Sequence, residues 1–276
     1  MVKPVPEAGV VSYINTIPMI YGIEQKQIPC PWKFHYTTPS AISNLLLSAQ
    51  VQAGLVSSFS YTTASDDFLI LPDISIASQG TVQSVLLFHN TPLPRIQQMH
   101  LSTSSLTSCN LMKLLMCLEG AQCQYLDIDG EELLPDNRAV EAVMYIGDRA
   151  LQELRLGRFS YVSDLAALWY DKFHLPFVFA LWIVRRDFAR NSPELVQELQ
   201  SSLHLSISYG QLHRETIARQ CAQRIGYSQE ESLQYLSCIN YRLDSEHIKA
   251  LKLFYYLLEI YQIIPRAPQL DFFQAE

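Results

Sequence analysis

Short apolar runs alternate with helix-period stretches from residue 8 to residue 184. Gly9, Val10 and Val11 read as a buried strand that ends in the polar turn Asn15–Thr16. A helix follows over Ile17 to Glu24, and Pro18 suits its first turn, where a missing N–H costs nothing. Phe34 to Thr37 is a short strand. Thr38-Pro39-Ser40 opens a helix with Ile42, Leu45, Leu46 and Leu47 on its apolar face. Gln52 to Val56 is the next strand, with Ser57-Ser58 and a further helix behind it. This rhythm predicts a parallel sheet covered by helices.

The pattern then changes. Phe68 to Leu71, Ile74 to Ser78 and Val82 to Phe88 read as three strands, the last two separated by a turn at Gln79-Gly80-Thr81. Asn90 to Pro94 reads as a crossover into a second βα series. That series has strands near His100, at Gln124 to Ile128, at Ala142 to Ile146 and near Phe159 to Val162. Its helices run over Leu106 to Leu118, from Asp148, and over Ser163 to Phe173. Pro176 to Val184 reads as a strand and a second crossover. Beyond Arg185 the pattern is helical. Asn191-Ser192-Pro193-Glu194 and Asp244-Ser245-Glu246 are helix starts. Ile248, Leu251, Tyr255, Leu258 and Tyr261 share one stripe, and the aromatic residues Phe254, Tyr255, Tyr256 and Tyr261 are assigned to packing. Two βα series joined by two crossings predict a two-lobed α/β fold. The first lobe comprises residues 1–89 and 182–276 with the C-terminal helices, and the second residues 90–181. A ligand cleft lies between them.

The 276 residues suffice for two lobes with cores of their own, and 49% hydrophobic against 17% charged residues describes a globular chain. A net charge of −7 argues against nucleic acid as a partner but leaves room for a small anion. The six cysteines show no CxxC and the seven histidines no HxxxH, so free thiols and no metal site are expected. The start Met-Val-Lys-Pro-Val-Pro lacks a secretory signal's apolar segment, and the longest apolar run, Leu175 to Val184, is too short to span a bilayer. A cytoplasmic protein with no membrane partner is expected.

Candidate chemistry gathers at four polar strand ends, where open α/β sheets collect ligands. These are Asn15–Thr16, Ser57–Ser58, the segment from Gly80 to Ser84, and Ser102 to Ser108. In the last, every residue but Leu106 carries a hydroxyl (Ser102, Thr103, Ser104, Ser105, Thr107 and Ser108), just before a helix. Hydroxyls, free N–H groups and the positive end of a helix dipole make a carboxylate cradle that needs no Arg or Lys. Asn15 is either ligand-facing or a helix cap. Gly147-Asp148-Arg149 opens a helix, and there capping is the first role for Asp148 and acid–base work the second. Asp164 leans further toward a structural role. No Ser/His/Asp set and no glycine-rich phosphate loop appears. The residues alone describe a two-lobed binder of a small polar, carboxylated molecule, enzyme or not.

At these same turns the chain resembles the chorismate dehydratases of the futalosine route to menaquinone, which share the type 2 periplasmic-binding-protein fold. The resemblance rests on VSYINTIP at 11–18, AGLVSSFSY at 53–61, LILPDISIASQG at 69–80, SVLLF at 84–88 and TSSLTS at 103–108. It continues with YIGDRAL at 145–151, LPFVFALW at 175–182 and NYRLDSEHIKALKLFYYL at 240–257. It implies a lyase that removes water from chorismate, a dicarboxylate, to give 3-[(1-carboxyvinyl)oxy]benzoate, without metal or organic cofactor. It further implies Asn15 and Ser84 as central active-site residues. Thr16, Ser57, Ser58, Gly80, Thr103, Ser104, Ser105, Thr107, Ser108, Gly147 and Asp148 would surround the substrate. No strong base stands in these motifs, so a substrate carboxylate is the expected proton acceptor, with Asp148 or another acid reaching into the cleft as the rival. Ser57, Thr81, Leu106 and Glu141 depart from the usual Pro, Pro, Arg and Asp. The competing readings are a non-catalytic solute-binding protein and the dihydroxynaphthoate synthase of the same pathway, whose Ser-Pro-Cys-Pro-Asn turn is absent here. A homodimer is compatible with any of them.

Overall fold

Val10 and Val11 are buried in strand β1 (Glu7–Val11), which pairs in parallel with β2 (Lys33–Thr37) and β3 (Ala53–Ser57). The computed structural model describes residues 5–129 and 140–274. The reading of residues 1–4 as part of a signal-free start, and the lobe limits at 1 and 276, lie outside the described residues. Helix α1 (Ile17–Glu24) follows β1 through one turn of 3-10 helix. Helix α2 (Pro39–Leu47) begins at Thr38, whose hydroxyl accepts the Ala41 N–H at 3.4 Å. Ile42 and Leu46 of α2 are buried, but Leu47, expected on the same face, is 56% exposed.

The first sheet is completed by β4 (Phe68–Ser78) and β10 (Phe177–Arg185), in the order β2-β1-β3-β10-β4. The second contains β5 (Val85–His89), β6 (Gln98–Ser102), β7 (Gln124–Ile128), β8 (Ala142–Ile146) and β9 (Tyr161–Asp164), in the order β7-β6-β8-β5-β9. Both sheets are mixed, not wholly parallel. β10 is antiparallel to β3 and β4, and β5 is antiparallel to β8 and β9. Each strand that enters a lobe by crossing from the other inserts between two of its strands. The crossings therefore lie between Ser78 and Val85 and before Phe177, so β5 belongs to the second lobe and all of β10 to the first. The expected limits at 89/90 and 181/182 cut through these strands' lobes because an apolar run reveals burial but not the sheet it joins.

The two strands expected at 68–71 and 74–78 are one. Pairing with β10 jumps from Leu181↔Ser75 to Ile183↔Ile70, and Pro72 and the left-handed Asp73 (φ 66°) fall inside this bulge. A proline without an N–H is tolerated at such a break in the ladder.

In the second lobe, α3 (Leu106–Leu118), α4 (Gly147–Leu156) and α5 (Leu165–Phe173) cover the sheet. After β10 come α6 (Arg186–Asn191), α7 (Pro193–Leu212), α8 (Arg214–Ile225), α9 (Gln229–Ser237) and α10 (Ser245–Ile260). Of the expected α10 stripe, Leu251, Tyr255 and Leu258 are buried and Tyr261 reaches solvent, as does Tyr256, which the sequence assigns to packing. The C-terminal helices serve both lobes, beyond the first-lobe role expected. Tyr227, between α8 and α9, donates its hydroxyl to the carbonyl of Leu151 in α4 at 2.7 Å. All six cysteines are free thiols. Among the described residues no helix is long and apolar enough to cross a membrane.

Helix α7 holds α1 at close range. A Cβ added at Gly210 would lie 2.0 Å from the carbonyl oxygen of Pro18, a backbone atom that cannot swing aside. Gly210→Ala is therefore expected to destabilise the protein by about 1–3 kcal/mol, read as a lower urea midpoint at unchanged slope.

Candidate functional site

The C-terminal ends of strands from both sheets face one cleft of about 560 Å³, counting space continuous with solvent. Its polar lining is Tyr13, Asn15, Thr16, Ser57, Ser84, Ser105 and Ser108, with Gly147 beside them. Its apolar walls are Val11, Pro39, Ile76, Val82, Val85 and Phe179. Among the described residues, no carboxylate, imidazole, amine or guanidinium lines it.

Asn15 is half-buried in the 3-10 turn Ile14–Thr16. Its side chain caps neither this turn nor α1. Instead its Oδ1 accepts the Thr16 hydroxyl at 3.2 Å, which leaves the Nδ2 donor to a ligand. The turn is held from three directions. Tyr241 donates its hydroxyl to the Asn15 carbonyl at 2.7 Å. Asp148 Oδ1, from the second lobe, accepts the Ile14 N–H at 3.1 Å. Arg224 of α8 bonds to the Ser12 carbonyl and places its Nε 2.7 Å from Asp148 Oδ2.

Ser84 is buried in the first crossing, and its hydroxyl makes a long 3.4 Å bond to the Val82 carbonyl. The segment is pinned by Asp164. One carboxylate oxygen accepts the N–H groups of Val82 (2.9 Å) and Gln83 (2.7 Å), and the other caps α5 through Ala166 and Ala167. These bonds hold Gln83 at a left-handed φ of 60°. Burial nonetheless pushes the Asp164 carboxyl above its ordinary range. The structural role expected of Asp164 is thus specific: it fixes the crossing that carries Ser84.

The hydroxyl run before α3 divides its work. Ser105 caps α3, accepting both the N–H (3.3 Å) and the hydroxyl (3.1 Å) of Ser108, and these two line the cleft. The remaining first-turn N–H groups of α3 lack intrahelical acceptors, as in any helix. Thr107 turns away from the cleft and bonds the Phe59 N–H (2.8 Å) and the Ser58 hydroxyl (3.2 Å). Ser58 in turn donates to the Val178 carbonyl at 2.8 Å. Ser58 and Thr107 therefore join the lobes behind the site. Thr103 is exposed and bonds the Ile128 carbonyl, Ser104 donates its N–H to Ser102, and Gly80 lies outside the lining. A helical start sends successive side chains about 100° apart, so one run cannot aim all its hydroxyls at one ligand.

Gly147 (φ 58°) begins α4, where an added Cβ would meet the Tyr13 ring at 2.9 Å. Asp148 does not cap α4. Its oxygens serve Ile14 and Arg224, and it is outside the cleft lining. Leu106 is 41% exposed and also off the lining, so the departure from Arg there takes no group from the wall. Glu141 accepts the Gln97 and Gln98 N–H groups at 3.0 and 2.8 Å, an anchoring task for either acid.

Sequence reasoning missed Tyr13, Phe179 and Tyr241. Tyr13 stood two residues before Asn15 in one matching stretch, and Phe179 and Tyr241 stood in two others, but none carried a signal of its own. Only the fold reveals that Phe179 is a cleft wall and that Tyr241, from residues 240–242 bridged to β4, lies beneath Asn15.

A family model described as menaquinone biosynthesis matches residues 6–259. The chain is 34% identical over 265 residues to the chorismate dehydratase of Thermus thermophilus, covering 89% of this chain and 92% of that one. In fold it is similar to a protein of Archaeoglobus fulgidus solved by structural genomics, with a TM-score of 0.77 at 15% identity, covering 94% of this chain and 98% of that one. It is likewise similar to the alkanesulfonate-binding protein of Xanthomonas axonopodis pv. citri bound to MOPS, with a TM-score of 0.68 at 13% identity, covering 99% and 98%. The expected two-lobed periplasmic-binding-protein-like fold is thereby established.

Asp164→Asn replaces one acceptor oxygen with a donor facing N–H groups. Its expected result is a stability loss of about 1–3 kcal/mol and faster hydrogen exchange at the Val82 and Gln83 amides than in the wild type.

Proposed function

The chain belongs to the menaquinone-biosynthesis family represented by the chorismate dehydratase of Thermus thermophilus, and we propose that it dehydrates chorismate to 3-[(1-carboxyvinyl)oxy]benzoate. The observation that carries the reading is the lining of the cleft. Amide and hydroxyl donors converge at strand ends between apolar walls, with no carboxylate, imidazole or amine base among the described lining residues. Such a site suits a small carboxylated ring whose own groups supply the acid–base chemistry.

The reaction is redox-neutral. The C3–H bond breaks, its electron pair becomes the C3–C4 π bond of the new aromatic ring, and the C4–O bond breaks. The proton and the departing hydroxide leave together as water. Aromatisation supplies the driving force, so the protein's task is orientation and hydrogen bonding. A substrate carboxylate takes the C3 proton in this reading and passes it to the departing hydroxide. Asn15 Nδ2 holds the reacting region and Ser84 donates to the departing hydroxyl or to a carboxylate. Ser105, Ser108 and the first turn of α3 hold the other carboxylate. Val11, Ile76 and Phe179 flank the ring and exclude water. In this reading Asp148 is not the base: it is off the cleft lining, and its oxygens hold the Ile14 N–H and Arg224. The reading implies a cytoplasmic lyase.

The direct test incubates purified protein with chorismate and follows enolpyruvyl benzoate by ultraviolet spectrum and mass. Binding without conversion would instead favour a solute-binding protein. Asn15→Ala is expected to lower kcat by about 100-fold with a much smaller change in KM. Asp148→Asn is expected to retain most of the rate. Near-complete loss in Asp148→Asn, with circular dichroism and Tm preserved, would transfer the base role to Asp148.

A further inference from the structure

Two tyrosines from the C-terminal segment stand directly behind the two central residues. Tyr241 is 4% exposed, and its hydroxyl donates to the Asn15 carbonyl at 2.7 Å. Tyr235, on α9, is fully buried, and its hydroxyl has no hydrogen-bond partner. The Ser84 side chain lies next to it. Ser84 for its part has only the long bond to Val82. Burial pushes both phenols well above their ordinary pKa, so both remain protonated and can donate at neutral pH.

An orphaned buried hydroxyl is costly, and it is retained here beside another that is weakly bonded. A serine hydroxyl has one proton and two lone pairs. In this structure that proton points back to Val82. To donate to a carboxylate or a departing hydroxyl it must rotate away, and a lone pair then becomes available on the buried side. The Tyr235 hydroxyl is the donor placed to fill it. Tyr241 plays the matching part for Asn15 by fixing the peptide from which the amide projects.

We propose that Tyr235 and Tyr241 are positioning residues for the dehydration. Tyr241 locks the Asn15 main chain, and Tyr235 donates to Ser84 once substrate is bound, committing Ser84 to act as a donor. The proposal rests on the chorismate reading and adds two residues that do not line the cleft. A hydrogen-bond chain Tyr235–Ser84–substrate would form only in the complex, where each bond polarises the next.

Tyr235→Phe deletes only the unpartnered hydroxyl. It is expected to leave Tm equal or higher while lowering kcat with chorismate about tenfold and shifting KM less than threefold. In a Ser84→Ala background, Tyr235→Phe should have no further effect on kcat, because its action passes through Ser84. Tyr241→Phe should lower kcat more than it raises KM. The loss should disappear in an Asn15→Ala background. Unchanged kcat in both phenylalanine variants overturns the proposal, as does a Tyr235→Phe effect that persists in full without Ser84. Wild-type protein that fails to convert chorismate overturns both this proposal and the activity it rests on. Normal wild-type turnover with indifferent tyrosine variants overturns the proposal alone.

Discussion

The constraint on which the rest depends is the immobilisation of five residues, Ser12 to Thr16, at the end of the first strand. A turn this short presents N–H and carbonyl groups that no sheet or helix can satisfy. Here the partners come from far along the chain: Asp148 for the Ile14 N–H, Tyr241 for the Asn15 carbonyl, Arg224 for the Ser12 carbonyl. The second lobe and the C-terminal helices thus meet at the same few backbone atoms. Asp148 and Arg224 also neutralise each other there, which removes the cost of a lone charge near the cleft. What projects from the fixed turn is an amide with one donor uncommitted.

Binding the proposed anion in a cleft lined without a cation has a physical logic. A guanidinium in the wall would hold a carboxylate tightly in ground and transition states alike, and uniform binding does not speed the chemical step. If the carboxylate is itself the base, pairing it with a full positive charge would also lower its basicity. Helix-terminal N–H groups and hydroxyls orient it with a weaker field. On the proposed reading, Ser105 and Ser108 at the start of α3, which line the cleft together with its apolar walls, would provide that compromise.

Much of this was legible in the chain. The strand ends at Asn15, Ser57 and Ser105, the helix bounds of α1 and α3, and the two-lobed plan follow from local pattern, because caps, prolines and apolar periods act locally. What local pattern does not encode is which sheet a strand joins. β5 and β10 read as apolar runs, and their antiparallel insertion into opposite lobes depends on partners more than fifty residues away. Side-chain direction was the other blind spot. Thr107 and Ser58 have the right chemistry at the right turns, yet they bond across the lobes and away from the cleft. Nothing local marks Tyr241 or Tyr235; both are buried, and their position behind the site is a property of the fold alone.

The insertion of β10 between β3 and β4 has a consequence for biogenesis. Until residue 185 leaves the ribosome, β3 and β4 have no strand between them, and the first sheet exposes two unpaired interior edges. The second lobe is continuous from β5 to α5 and can form while that gap stands open. The first lobe, begun earliest, must therefore finish last. The nascent chain carries its start as an incomplete sheet through most of synthesis, a window in which chaperone capture or mispairing competes with the arrival of one nine-residue strand.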